Sequence, residues 1–255
     1  MNKMKLGIAA FASVAVLGVT ELGMPVSAAE YKTNGVVEFT PNMDVTNPVD
    51  PENPDPNNPV EPIDPTNPEG KPNVGTAGPL SIDYASSLDF GKNKITGADA
   101  VYYAEPQTYS NGTKATANYV QVSDKRGTNA GWTLKVKQEG QLKNDATQNK
   151  ELTGAQIKIS TIEAESNAEG ITKPTTQPVE LNPNGDESLV MEAKNGSGAG
   201  TWVGRFGSLE DVTIDGQAVK KNTAVTLTIP GKTAKDAVAY TTKLTWTLSD
   251  TPANN

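Results

Sequence analysis

The sequence predicts an all-β protein: an antiparallel β-sandwich with long loops and a proline-rich extended insertion. From Gly75 onward, short runs of alternating apolar and polar residues follow one another, as expected of strands that place one face on a core. Glycine, asparagine and aspartate separate these runs, and helical spacing of apolar residues is almost absent. Such a pattern favours two packed antiparallel sheets, because that arrangement buries one face of each strand.

The first element is a predicted secretory signal peptide over residues 1–28. Lys3 and Lys5 precede an apolar run, and small residues follow where a signal peptidase would cut. Cleavage after Ala28 and cleavage after Ala29 both fit the pattern. An uncleaved anchor is the alternative, although the apolar run is short for a membrane span. We therefore expect an exported protein.

The second element lies in residues 29–46, where the run Tyr31–Thr40 has the alternation of a strand. Val37 and Phe39 fall on one face, and Val36, Glu38 and Thr40 fall on the other. A lone strand buries too little surface to be stable. We therefore expect this strand to pair with the main domain.

The third element, residues 47–74, carries proline at every second to fourth position together with many acidic residues. Proline fixes φ and removes an amide donor, so this segment favours neither a helix nor an interior strand. We expect a stiff, extended spacer that leaves the domain surface. A low-complexity insertion without function is one alternative, and weak calcium binding by the Asp-Pro-Asn repeats is another.

The remaining residues, 75–255, are predicted to form one sandwich domain. One strand of this domain is expected to run into a turn at Asp215-Gly216. The other strand-like runs, named by their alternating apolar residues, are Leu80–Tyr84, Tyr119–Val122, Trp132–Val136, Ile157–Ile159, Leu189–Met191, Val225–Ile229 and Tyr240–Leu248.

Composition excludes several kinds of chemistry. The chain contains no cysteine and no histidine, which excludes disulfides, thiol nucleophiles, Ser-His-Asp catalysis and histidine-bound zinc. The formal net charge of −8 argues against nucleic acid as a partner. We expect no enzyme, cofactor or metal site. Three carboxylate pairs lack any sign of a catalytic cleft and are interpreted as solvated groups: Glu163/Glu165, Asp186/Glu187 and Glu210/Asp211.

The C-terminal sequence SDTPANN is polar and lacks the sorting motif, apolar stretch and basic tail of a covalently anchored wall protein. Retention at the cell surface would therefore be non-covalent.

Two Trp-Thr-Leu tripeptides are the main candidate site. Trp132 and Leu134 share one face of a predicted strand, and so do Trp246 and Leu248. One interpretation is that both indoles belong to the core, because aromatic residues on strands dominate packing. The other is that they form a platform for a sugar ring at one end of the sandwich.

The third tryptophan, Trp202, lies in the glycine-rich run GAGTWVGRFG together with Arg205 and Phe206. One interpretation is an exposed recognition loop, because arginine and tryptophan are common anchors of binding interfaces. The alternative, which we favour, is a bulged or edge strand whose glycines relieve close packing.

The chain resembles the WxL-domain surface proteins of Gram-positive bacteria. An upstream Trp132-Thr133-Leu134-x-Val136 element accompanies a C-terminal one, and TNGVVEF, the proline-rich stretch and GPLSIDYASSLDFG occur in the order typical of that family. The resemblance therefore covers the whole mature chain. The C-terminal element matches in order at Tyr240, Leu244, Thr245, Trp246, Leu248, Asp250 and Pro252.

This resemblance implies a secreted protein at the cell surface that attaches non-covalently to peptidoglycan through both Trp-x-Leu elements. The candidate supporting residues are Tyr240, Leu244, Asp250, Trp202 and Arg205. The resemblance also implies complexes with other WxL-type and membrane-anchored surface proteins, and contact with host extracellular matrix proteins. An alternative remains open, in which the protein is an interaction or matrix-adhesion subunit whose tryptophans are structural.

Overall fold

The structure, a computed structural model, describes residues 28–251. Apart from Ala28, the predicted signal peptide lies outside the described residues, and so does Pro252. The described chain contains thirteen strands and no helix. In order they are β1 Leu80–Ala85, β2 Ala100–Ala104, β3 Tyr119–Asp124, β4 Trp132–Gln138, β5 Gln156–Ile159, β6 Glu163–Glu165, β7 Thr175–Thr176, β8 Val179–Glu180, β9 Ser188–Ala193, β10 Gly200–Arg205, β11 Leu209–Ile214, β12 Gln217–Ile229 and β13 Leu244–Ser249.

The all-β, antiparallel prediction is confirmed, but the strands form three sheets instead of two. One sheet has the order β1-β3-β10-β6, and another has the order β13-β4-β9-β7. The remaining sheet has the order β11-β12-β5-β8, with β2 also paired to β12. Over residues 28–251 we find no helix with the length and hydrophobicity that a membrane crossing requires.

Strand β12, around which the third sheet is built, pairs with different strands along its length. Its first half pairs with β11, and its second half pairs with β2 and β5. The pairing with β2 shifts register between Asn222 and Thr226, and such an irregularity bends a strand. The β11–β12 connection is the predicted Asp215-Gly216 turn, with φ values of 50° and 82°. Positive φ at both positions is characteristic of a type I′ hairpin.

One hydrophobic core joins the three sheets. Val120 and Val122 from β3, Leu134 from β4, Ile157 from β5 and Val225 from β12 belong to this cluster, and all five are buried. Burying a side chain of this size stabilises the fold by about 1.5–3 kcal/mol. The alternation that predicted these strands therefore reports contact with a shared core.

The proline-rich segment differs from the expected extended spacer, because it packs against the domain. Val49 and Val60 are buried in a small cluster with Tyr84, Tyr109 and Tyr119. The rings of Tyr84 and Tyr119 lie 4.8 Å apart, and burial raises the pKa of all three tyrosine hydroxyls. Apolar residues between the prolines therefore hold the segment on the surface of the first sheet.

Gln121 of β3 fixes the start of this segment. Its Oε1 accepts a hydrogen bond from Val49 N at 2.8 Å, and its Nε2 donates to Asn47 O at 3.0 Å and to Asp83 Oδ2 at 2.9 Å. Asp83 also accepts hydrogen bonds from Ser81 and Ser123 at 2.6 Å, although burial raises the pKa of its carboxyl group. A fully bonded buried amide of this kind specifies one position for the chain that it holds.

Three Asp-Pro-x-Asn-Pro turns explain how so many prolines fit a compact path. In each, the aspartate carbonyl accepts the N–H three residues on and its carboxylate accepts the N–H two residues on, an Asx turn. The hydrogen bond from Asn57 N is the main reason why the pKa of Asp55 is lowered. Within the described residues, no group of three or more acidic side chains is placed to hold a metal ion. The turns begin at Asp50, Asp55 and Asp64.

Residues 28–40 contain no strand, and each of them is exposed. The strand predicted over Tyr31–Thr40 is therefore not formed there. The alternation of Val37 and Phe39 with polar residues is real, but a strand also needs the backbone groups of a partner.

Candidate functional site

The two Trp-x-Leu motifs lie side by side on neighbouring strands. Strands β4 and β13 pair antiparallel, with Leu134 opposite Leu248 and Val136 opposite Trp246. Directly opposed residues point to the same face of a sheet. The motifs therefore form one continuous apolar ladder, with the indole of Trp132 beyond the leucine pair at one end and Trp246 toward the other.

Trp132 and Leu134 belong to the core and offer no surface to a ligand. Both are fully buried, and the indole N–H of Trp132 donates to Gly198 O at 2.9 Å. Gly198 has a φ of +73°, and a Cβ there would lie 2.8 Å from Trp132 Nε1. Glycine is required at this position by both conformation and space. The platform interpretation of Trp132 therefore gives way to the core interpretation.

Trp246 has a different environment because β13 is the terminal strand of its sheet. Its side chain is only half-buried, as are those of Leu244 and Leu248. The indole stacks on the buried ring of Phe206, with ring centroids 6.3 Å apart and an angle of 10° between the planes. One side of Trp246 therefore has a firm apolar support, while the residue as a whole stays partly accessible.

Trp246 lines an open groove with a volume of about 1220 Å³. The groove runs between β1 and β13, each of which is the terminal strand of a different sheet. Its lining combines aromatic and aliphatic side chains with charged ones, as ligand sites often do, although the carboxylates of Asp64 and Asp83 are buried. The aromatic side chains are Tyr84, Phe90, Tyr102, Tyr240 and Trp246, and the charged ones are Asp64, Asp83, Asp89, Lys94, Lys235, Asp236 and Lys243.

Tyr240 is held at the groove by its hydroxyl. The hydroxyl donates to Asn149 O at 2.7 Å and accepts from Asp236 N at 2.8 Å. Asp236 in turn accepts hydrogen bonds from the side chains of Thr147 and Asn149 and from Asn149 N. These bonds, with that from Thr147 first, lower the pKa of the Asp236 carboxyl group. These hydrogen bonds and the Asp236 carboxylate link the connection between β4 and β5 to the connection between β12 and β13, beside the groove.

Asp250 is exposed just after β13. It contributes to raising the pKa of Arg126, after the larger effect of the hydrogen bond between Arg126 and Asp124. Arg126 also donates to Gly131 O at 2.7 Å. Asp250 therefore adds negative charge to a cluster that fixes the backbone just before Trp132.

Trp202 and Arg205 do not lie among the described residues that line the groove. Trp202 is buried on β10, and its N–H donates to Ala199 O at 2.9 Å. Arg205 bonds Gly207 O and forms an ion pair with Glu163. Strand β10 is central and not an edge. Gly204 does relieve close packing, as expected, because a Cβ there would lie 2.7 Å from Met191 Sδ.

The carboxylate pairs behave as surface groups. Glu165 pairs with Lys173 at 3.3 Å, Glu187 with Lys135 at 3.3 Å, and Asp211 with Lys220 at 2.8 Å. The carboxylates in these three ion pairs are 39–61% exposed, so the pairs add little to stability.

Several groove residues were not identified from the sequence. Leu88, Phe90 and Tyr102 lie in or beside the long connection between β1 and β2, far from either motif in sequence. Only the three-dimensional arrangement brings these side chains to the groove that Trp246 lines, and no local pattern signals it. Phe206, which one interpretation of the sequence places in a recognition loop with Trp202 and Arg205, follows β10 directly and stacks on Trp246 instead of lining the groove.

A family model described as WxL domain surface cell wall-binding matches residues 26–252. No curated protein and no solved structure matches the chain.

Proposed function

The chain belongs to the WxL domain surface cell wall-binding family, and from this membership we propose that the groove beside Trp246 is the surface that holds the wall. Membership implies a protein of the cell surface that binds the cell wall non-covalently, in a family of binding domains and not of enzymes. Peptidoglycan as the ligand of this groove, and the residues that contact it, are our proposal.

The observation that supports it is the position of Trp246. It is the only half-buried indole among the described residues, since Trp132 and Trp202 are both in the core. The buried ring of Phe206 lies parallel to the indole, with the ring centroids 6.3 Å apart. A supported indole presents a flat apolar face to the C–H groups of a sugar, and its N–H is available as a donor.

The groove has the chemistry that peptidoglycan requires. Its aromatic side chains suit the apolar faces and acetyl methyl groups of amino sugars, while the accessible charged groups of Lys94, Asp236 and Lys243 suit the peptide stems. An open groove, unlike a closed pocket, accepts an internal stretch of a polymer. Leu244 and Tyr240 shape the groove beside Trp246, and Leu248 continues the same face of β13.

Trp132 and Leu134 contribute indirectly in this proposal. They hold β4 in the core, and β4 carries β13 through six paired positions from Thr133 to Gln138. Both motifs are thus needed for wall binding, one as the support and the other as the contact surface.

Co-sedimentation with purified peptidoglycan tests the proposal. We expect Trp246→Ala to lower the bound fraction at least tenfold while the circular dichroism spectrum stays that of the folded chain, because the residue is at an edge. Thr247→Ala is the matched control, since Thr247 is exposed on the opposite face of the same strand. A folded Trp246→Ala variant that sediments like the unaltered chain would contradict the proposal.

A second candidate function is binding to other proteins, either partners in surface complexes or host matrix proteins. The burial of Trp132 and Trp202 favours it, because two of the three tryptophans are structural. In that case purified peptidoglycan alone would not retain the chain, whatever residue stands at position 246.

A further inference from the structure

An exposed strand-like segment precedes the folded domain. Across Tyr31–Thr40 every residue is exposed, with Val37 at 73% and Phe39 at 88%. Isolated apolar residues at a surface need no explanation, but an alternating set in an unpaired segment does. Such a sequence has the pattern of a strand with one apolar face and lacks only a partner.

The groove has what such a segment lacks. Strand β13 ends its sheet, and its residues Leu244–Ser249 make no backbone hydrogen bonds to other backbone groups in the described chain beyond the ladder with β4. Its outer edge therefore presents free N–H and C=O groups beside an apolar floor. Unpaired edges of this kind are the usual acceptors for an added strand.

We propose that Tyr31–Thr40 of one copy docks as an additional strand along β13 of a second copy. Val37 and Phe39 then rest on the apolar floor beside Leu244 and Trp246, and the opposite face of the segment points to solvent.

Length and charge support this occupant. The segment has about as many residues as are needed to run the whole of β13, with a few to spare at either end. Glu38 lies on the solvent face of the segment, and Lys243 is exposed at the start of the outer face of β13. No acidic side chain in the described part of the chain forms an ion pair with Lys243, so Glu38 supplies the opposite charge.

The arrangement is head-to-tail, because each copy offers one segment and one groove. Such contacts join copies into chains unless two copies exchange segments and close a dimer. The segment is anchored where it ends, since Asn42 N donates to Lys125 O at 3.3 Å. Its docking therefore connects the two folded domains through a short tether.

Disulfide trapping tests the proposal. The full chain has no cysteine, so every disulfide that forms involves an introduced cysteine. One chain carries Thr40→Cys, and a second carries either Thr245→Cys or Ser249→Cys, toward the two ends of the outer face of β13, so that Lys243 keeps its charge. After mild oxidation of the mixture, we expect mixed disulfides identified by mass spectrometry of the linked peptides. The control acceptor is Ala218→Cys, which is exposed in the β11–β12 hairpin.

A second donor chain carries Thr40→Cys together with Val37→Lys and Phe39→Lys. We expect it to lose the mixed disulfide at least tenfold, whereas Val36→Lys, on the opposite face, leaves the yield unchanged. Equal yields with the Ala218→Cys acceptor, or with the double-lysine donor, would overturn the proposal. The proposal would also be overturned if a chain that carries both the donor and the acceptor cysteine formed only a disulfide within one copy.

The result is separable from wall binding. Trapping is carried out without peptidoglycan, so it can fail while Trp246→Ala still abolishes sedimentation, and it can succeed when sedimentation fails. One further expectation rests on the function proposed above: soluble wall fragments should reduce the trapping yield, because both occupants use the same groove.

Discussion

At the scale of single residues, the two motif tryptophans have different tasks although their tripeptides are identical. Trp132 fills the core and satisfies the carbonyl of Gly198 through its N–H. Trp246 stands on Phe206 at the edge of the same sheet. Position within the sheet, and not the tripeptide, decides whether the indole is structural or accessible.

We expect Trp132→Ala to destabilise the fold by about 3–5 kcal/mol, because it removes a fully buried aromatic side chain and leaves a cavity. Urea unfolding followed by circular dichroism measures this change. Trp246→Ala should cost clearly less, since part of that side chain is already in contact with water. Equal losses for the two variants would show that Trp246 is as structural as Trp132.

Asp236, in the connection between β12 and β13, makes the stability of the fold depend on pH. Hydrogen bonds lower its pKa from the ordinary value of 3.8, so the ionised form is favoured in the folded state. Its contribution to stability is present above the unfolded pKa, near pH 4, and is lost as pH falls through the lower folded pKa. Acid should therefore loosen the link between Asn149 and Tyr240.

Asp236→Asn tests this expectation. The variant should be less stable than the unaltered chain at pH 7, and the difference should shrink as pH drops below about 4. Urea midpoints measured from pH 7 to pH 2.5 provide the comparison. Parallel curves for the two chains would show that this carboxylate does not contribute in the way described.

At the scale of elements, the proline-rich segment shows what sequence pattern alone misses. Its prolines correctly exclude helix and interior strand, yet the segment is not extended. The decisive features are Val49 and Val60, which occur singly between prolines and have no periodicity to reveal them. Three Asx turns satisfy the backbone locally, which leaves these valines free to pack.

Val49→Ala should destabilise the fold by about 1–2 kcal/mol, because two methyl groups leave a fully buried site next to Tyr84 and Tyr119. Val45→Ala is the matched control: it is the same change four positions earlier, at a residue that is 50% exposed. Thermal melting compares the two variants. Identical melting temperatures would mean that the segment adds nothing to the stability of the domain.

At the scale of the whole molecule, the fold class could be predicted because alternation records contact with the core. Seven of the predicted runs lie on strands, including those with Val120, Leu134 and Leu227, and the run Tyr240–Leu248 lies on a strand from Leu244 onward. The third sheet could not be predicted, because it depends on how β12 exchanges partners. The groove could not be predicted either, since Phe90 and Trp246 come to line it, and Phe206 comes to stack on Trp246, only through tertiary packing.

Tryptophan fluorescence reports on this arrangement as a whole. We expect two shielded indoles and one accessible one, so acrylamide should quench a minor part of the emission. Trp246→Phe should abolish that quenchable part and leave the remaining emission blue-shifted. Persistent quenching in this variant would mean that Trp132 or Trp202 is reached by solvent, contrary to their burial.

The leucine-to-leucine pairing of β4 with β13 has a consequence for how the chain can be divided. The two halves of this ladder lie far apart in sequence, so a break in an intervening exposed turn, such as Asp215-Gly216, separates them into different fragments. Neither fragment alone covers its own apolar face. When the two fragments are co-expressed, they should reassociate along the ladder and restore one folded domain. The domain is therefore suitable as a split reporter that reassembles on a bacterial envelope.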